Sequence, residues 1–92
     1  MSWPPIELVP SLSHCIETVA KEEFREAVDQ CLRTSEPDAA LEERVETLRL
    51  FLETADFRAL RQESESYLTQ GRPVRFILWR EGKAVGYRML LD

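Results

Sequence analysis

Two thiols and one imidazole are the side chains of this 92-residue chain best suited to chemistry: Cys15, Cys31 and His14. His14 and Cys15 are adjacent, and neighbours on a helix point roughly 100° apart, which is a poor arrangement for moving a proton between them. Cys15 and Cys31 fall on one expected helix, where sixteen residues span about 24 Å. A disulfide needs Cα atoms closer than about 7 Å, so none is expected. Two thiols and one imidazole also fall short of the four ligands of a zinc site. Cys31 instead fits the apolar stripe of its helix as a small core residue. The carboxylates Glu22, Glu23, Glu26, Glu42, Glu43 and Glu46 occupy solvent-face positions, some with arginines at helical spacing, as in Glu22 with Arg25 and Glu46 with Arg49. A di-metal helix site would want Glu-x-x-His motifs, and the sequence contains none. Gly71, Gly82 and Gly86 are accounted for by a helix end, a turn and a ribbon, leaving no phosphate-cradling loop. The expectation is a protein without enzymatic activity, metal or cofactor.

One set of residues suggests binding. Arg72, Arg75, Arg80, Lys83 and Arg88 are interleaved with Phe76, Trp79 and Tyr87, and a basic β-ribbon can enter a groove or offer stacking platforms to a nucleic acid. Residues 1–70 hold seven Lys/Arg against fifteen Asp/Glu, a net −8, whereas residues 71–92 hold five against two, a net +3. That asymmetry suits an anionic partner, or complementary surfaces packing within the fold or a dimer. The chain as a whole carries −5 and has a pI near 4.9, which opposes binding to a phosphate backbone. Nucleic-acid binding is therefore the alternative reading.

The elements that position these residues follow from periodicity. Residues 1–10 form an extended arm, since Trp3 to Pro10 holds three prolines. Trp3, Ile6, Leu8 and Val9 suit an arm lying on the surface of the body, and Ile6 to Val9 could add a short edge strand. Residues 11–70 are helical. Ile16, Val19, Ala20, Phe24, Ala27, Val28, Cys31 and Leu32 recur at steps of three and four, predicting an amphipathic helix capped by Ser11 or Ser13. Ser35 reads as the N-cap of a second helix, with Asp38 three positions on. Its seam is Leu41, Val45, Leu48 and Leu52, widened by Leu50 and Phe51. Beyond Leu52 the phase slips, which predicts a break with Thr54 as a new cap and Asp56 near the helix N-terminus; one bent helix is the alternative. Gly71 ends the third helix and Pro73 prevents its continuation.

Residues 73–91 predict a β-hairpin, with β-branched and aromatic residues flanking a glycine turn. A two-residue loop on Glu81-Gly82 pairs Leu78 with Val85, Phe76 with Tyr87 and Val74 with Met89. It gathers six large apolar residues on one face and sets Arg75 beside Arg88. A three-residue loop, Arg80 to Gly82, places Gly82 in the left-handed position of a G1 bulge. Turn chemistry favours the three-residue loop, because a type I′ turn would force Glu81 to positive φ. The hydrophobic pattern favours the two-residue loop.

In either register each face of the ribbon carries bulky apolar residues, and three helices cover one face but hardly both. An isolated hairpin is also marginal, with two unpaired edges. Hence Ile77, Trp79, Tyr87 and Leu90 are the candidate interface, and Arg72, Arg75, Arg80, Lys83 and Arg88 the candidate anion or nucleic-acid contacts. The expected partner is a second copy of the chain, a dimer first, with another protein as an alternative. Composition (43% hydrophobic, 32% charged) and length suit one folded domain with a small core. No stretch approaches the roughly 20 apolar residues of a membrane span, and the N-terminus lacks the pattern of a secretory signal. A cytoplasmic, reducing setting is expected. The architecture expected is α+β: three amphipathic helices followed by a C-terminal antiparallel hairpin, acting as a non-enzymatic interaction module.

Overall fold

A computed structural model describes residues 4–91. The elements in chain order are β1 (Ile6–Leu8), α1 (Ile16–Arg33), α2 (Ala39–Thr54), α3 (Phe57–Leu68), β2 (Val74–Glu81) and β3 (Ala84–Leu91). This is the expected α+β class, with one strand more than the hairpin. The arm is not a passive surface tail. Its Ile6–Leu8 segment pairs antiparallel with β2, and the sheet order is β1-β2-β3. Pro4, Pro5 and Pro10 stop β1 from growing, and an edge is the place where a sheet tolerates such prolines. Trp3 lies outside the described residues.

The hairpin takes neither expected register. Glu81 pairs with Ala84, Leu78 with Tyr87, Phe76 with Met89 and Val74 with Leu91, so the loop is Gly82-Lys83. Gly82 has φ 62, and among the described residues none other than glycine has positive φ. Positive φ at the first loop position only is the pattern of a type II′ turn, which matches strand twist and asks for glycine there. Glu81 thereby keeps extended backbone and joins the ladder. The shift from the two-residue alternative is two positions in pairing, so the same six apolar residues still share a face. Arg75 sits opposite Leu90 and Arg88 opposite Ile77, which removes the clash of like charges.

The starts of α2 and α3 are set by aspartates. Asp38, not Ser35, caps α2 by accepting from Leu41 N at 2.8 Å. Asp56, not Thr54, caps α3 by accepting from Ala59 N at 3.2 Å. A capping aspartate adds charge to its hydrogen bond at the positive end of the helix dipole. The phase slip is a true break, with Ala55 and Asp56 separating two helices. Neither Ser11 nor Ser13 caps α1, whose N-cap is Cys15. Ser11 instead folds a turn before it, with His14 N donating to Ser11 Oγ and Ser11 N donating to His14 O. At the end of α3, Gly71 (φ 76) completes a Schellman motif, with Arg72 N donating to Tyr67 O and Gly71 N to Leu68 O.

The three helices lie on one face of the sheet. Ile16, Ala20 and Ala27 of α1, Leu48 and Phe51 of α2 and Leu60 of α3 are buried against Ile6, Leu8, Val74, Phe76 and Leu78. Each such large side chain contributes about 1.5–3 kcal/mol by leaving water. Leu32 is not part of this core: it is 80% exposed. At 3.6 residues per turn it points roughly 160° away from Ile16, although its step from Val28 fits the pattern. Cys31 is only half-buried. Thr47 and Ser64 are buried polar residues whose hydroxyls donate back to the carbonyls of Glu43 and Arg61, so neither group is left without a partner.

Candidate interaction surface

β2 is the central strand, and its alternation decides which side chains meet the helices. Val74, Phe76 and Leu78 point to the core, so Arg75, Ile77, Trp79 and Glu81 point to the other face. Pairing brings Glu7 of β1 and Ala84, Gly86, Arg88 and Leu90 of β3 onto that outer face. Of the four candidate interface residues, Ile77, Trp79 and Leu90 come together here, each half-buried. Tyr87 does not join them. It lies on the helix face opposite Leu78, its ring 6.2 Å from Phe51 and 6.4 Å from Phe76, and remains 47% exposed at the margin of the core.

Trp79 gives the outer face its shape. Its indole lies across the β3 backbone at Gly86, its direct partner: a Cβ there would sit 2.5 Å from Trp79 Cε2. The indole N–H donates to Glu81 Oε1 at 2.9 Å. The glycine is thus a seat that lets the ring lie flat over the edge strand. Arg75 Nη1 stands 3.7 Å from Glu7 Oε1 along the same face.

The five cations do not form one patch. Arg72 lies over the Tyr67 ring at 5.3 Å, making the side-chain contact that closes the Schellman turn. Arg80 reaches α2, with Nε 2.8 Å from Glu43 Oε1. Arg75 is next to Glu7, Lys83 occupies the turn and Arg88 is exposed on the outer face. The basic ribbon is therefore neutralised in part from within, by carboxylates on β1 and α2.

Glu43 also corrects the reading of the α2 carboxylates as a solvated face. Its side chain is only 13% exposed. Glu43, Thr47 and Phe51 recur at four-residue steps and form the side that α2 turns to the sheet, beside the seam seen in the sequence. An acid and a threonine in that row hid it, because a hydrophobic pattern does not count them. Glu46 and Arg49 do pair on α2 as their spacing suggested, and Arg49 also holds Glu53. Arg44 bridges to Glu23 of α1 at 2.7 Å.

At the other end of the molecule, His14 is exposed and Cys15 half-buried. Cys15 Sγ meets Thr18 Oγ1 at 3.3 Å. Hydrogen bonding from the Thr18 side chain, then from its backbone N–H, pulls the thiol below its ordinary pKa against a smaller opposing effect of burial. The half-buried thiol thus has Thr18 as its hydrogen-bonding partner. Among the described residues no group of three His, Cys, Asp or Glu side chains could hold a metal, and no helix is long and apolar enough to cross a membrane.

No curated protein and no solved structure shows significant similarity to the chain. A family model matches residues 5–85, from the proline before β1 through the central strand and the turn into the start of β3. That span includes every helix, the Glu43–Arg80 contact and Trp79, and by it the chain belongs to an uncharacterised protein family.

Proposed function

We propose that the chain is a non-catalytic interaction module that binds a second copy of itself along β3 and the adjoining outer face of the sheet. The observation that carries this reading is the contrast between the two sheet edges. β1 is three residues long and bounded by prolines, which blunts an edge. β3 runs eight residues in unbroken register, with no proline and no bulge, and no strand lies on its far side among the described residues. Such an edge is a template for another strand.

A second copy fits because every chain carries the same edge. Two β3 strands paired antiparallel about a two-fold axis form a closed, isologous contact. Their pairing would join two three-stranded sheets into one of six and make the two outer faces continuous. Ile77, Trp79 and Leu90 of each copy would then border one shared apolar surface. Nucleic-acid binding, the alternative, would draw mainly on Lys83 and Arg88, the two of the five cations for which no carboxylate or ring contact is found among the described residues. A reducing, cytoplasmic setting suits two unpaired cysteines.

Light scattering at micromolar concentration tests the reading. The expected mass is twice the 10.7 kDa of the chain, falling to the monomer value when proline replaces Tyr87 on the β3 edge. A monomeric mass for the unaltered chain across that range would remove the argument for a second copy. A shift of labelled oligonucleotide at low salt, lost in Lys83→Glu/Arg88→Glu, would favour the alternative.

A further inference from the structure

The outer face of β3 has a gap at Gly86. The Trp79 ring fills it from the β2 side, with three indole atoms within 2.7 Å of where a Cβ would stand. On the far side of the glycine lies the edge of the sheet, with no further strand among the described residues. A second copy paired along β3 sets one of its own side chains against that far side. Which side chain it is depends on the register of the pairing.

Alternation and charge restrict that register. Val85, Tyr87, Met89 and Leu91 share the helix face of β3, and Ala84, Gly86, Arg88 and Leu90 the outer face. Two copies with continuous faces must pair like with like, so the two-fold axis passes through a residue and not between two. An axis at Gly86 or Met89 leaves only five residues of each β3 paired, whereas an axis at Tyr87 or Arg88 pairs seven. The Arg88 axis sets two guanidinium groups directly opposite each other, a destabilising like-charge pair. The Tyr87 axis opposes Tyr87 to itself, Val85 to Met89, Ala84 to Leu90 and Gly86 to Arg88. Tyr87 is 47% exposed, and among the described residues the strands carry no other exposed large apolar side chain.

We propose that two copies pair about an axis at Tyr87 and that the partner's Arg88 completes the Trp79 site across Gly86, an assignment that rests on the self-association proposed above. Residues flanking a two-residue loop form a hydrogen-bonded pair, here Glu81 and Ala84. Even-numbered residues of β3 therefore turn their amides to β2, and odd-numbered ones turn theirs to the open edge. Gly86 thus meets the partner's Arg88 as a non-hydrogen-bonded pair, the closer kind, with Cα atoms about 4.5 Å apart. Because the indole already lies over Gly86, that guanidinium reaches the ring within about 6 Å, the range of a cation–π contact.

The test is disulfide trapping with oxidised glutathione in a Cys15→Ser/Cys31→Ser chain, after light scattering has recorded the mass of the reduced protein. Ala84→Cys/Leu90→Cys should cross-link two copies almost completely, since these positions oppose each other at about 4.5 Å, within reach of a disulfide. Val85→Cys/Leu91→Cys, opposed only when the axis is at Arg88, should not. In each variant the two positions lie six residues apart on one strand, about 20 Å, so neither closes on itself. With the natural cysteines in place, Arg88→Ala should raise the dimer dissociation constant roughly two- to fivefold. A dimeric mass with cross-linking through Val85→Cys/Leu91→Cys, or through neither variant, overturns the register and leaves self-association standing. A monomeric mass overturns both. An unchanged dissociation constant in Arg88→Ala overturns the contact with Trp79.

Discussion

On the helix face of β2, Val74, Phe76 and Leu78 are wholly withdrawn from water, while their neighbours Arg75, Ile77 and Trp79 on the opposite face stay partly exposed. The two faces are similarly bulky but differ in what covers them. Three helices bury the first. The second relies on its own side chains, among them an indole laid over Gly86 and an ion pair from Arg75 to Glu7. Burial in this chain is therefore decided by where the amphipathic helices run out, not by the composition of the strand.

Truncations should separate the faces most sharply. Phe76→Ala should cost about 3–5 kcal/mol in chemical denaturation, because it leaves a cavity under the helices. Ile77→Ala should cost about 1 kcal/mol or less in the dilute chain. Equal losses at the two positions would mean the outer face is as well covered as the inner. Gly86→Val comes next, at about 1–3 kcal/mol, since its side chain must displace the Trp79 ring. In a Trp3→Phe background, indole emission should shift to the red in that variant; an unchanged spectrum would show that the ring does not rest on Gly86.

Smaller effects probe how the helices are held over the inner face. Asp38→Ala and Asp56→Ala should each cost about 1 kcal/mol, whereas Ser35→Ala and Thr54→Ala should be close to neutral. The smallest effect is electrostatic. Arg49, hydrogen-bonded to Glu46, holds that carboxyl below its ordinary range. A depressed carboxyl stabilises the fold above its unfolded pKa, and the contribution is lost as pH falls through the lower folded value. Glu46→Gln should thus flatten the acid limb of the stability profile slightly, and salt should shrink the difference.

The helices, their break and the hairpin were legible because each has a local signal: the period of α1, the phase slip after Leu52, glycine and proline after α3. The errors came where two local signals competed. Ser35 reads as a cap with Asp38 as its capping-box partner, and Thr54 as a cap with Asp56 as a charge near the helix start, whereas each aspartate is itself the N-cap. In the turn, a type I′ loop would force Glu81 to positive φ and a G1 bulge would take three residues, whereas glycine at the first position of a type II′ loop sets the ladder two residues on from the Glu81-Gly82 alternative. The edge strand at Ile6–Leu8 is among the readings of the arm, but its pairing with β2 and the Glu43–Arg80 contact join residues about 70 and 37 positions apart, which no window of sequence brings together. Ile77 and Trp79 are legible because alternation along β2 alone puts them opposite the core, and Leu90 joins them through the observed pairing with Arg75. Tyr87 was misplaced with them because its face depends on the register.

Whether the β3 edge is occupied in solution is measured directly by amide hydrogen exchange along β3 at two protein concentrations. Alternate β3 amides point away from β2. If two copies pair there, those amides will be protected at high concentration and exchange quickly on dilution, while the amides facing β2 change little. Exchange of the outward amides that is fast and identical at both concentrations, from micromolar to near-millimolar, would contradict the claim that this edge joins two copies.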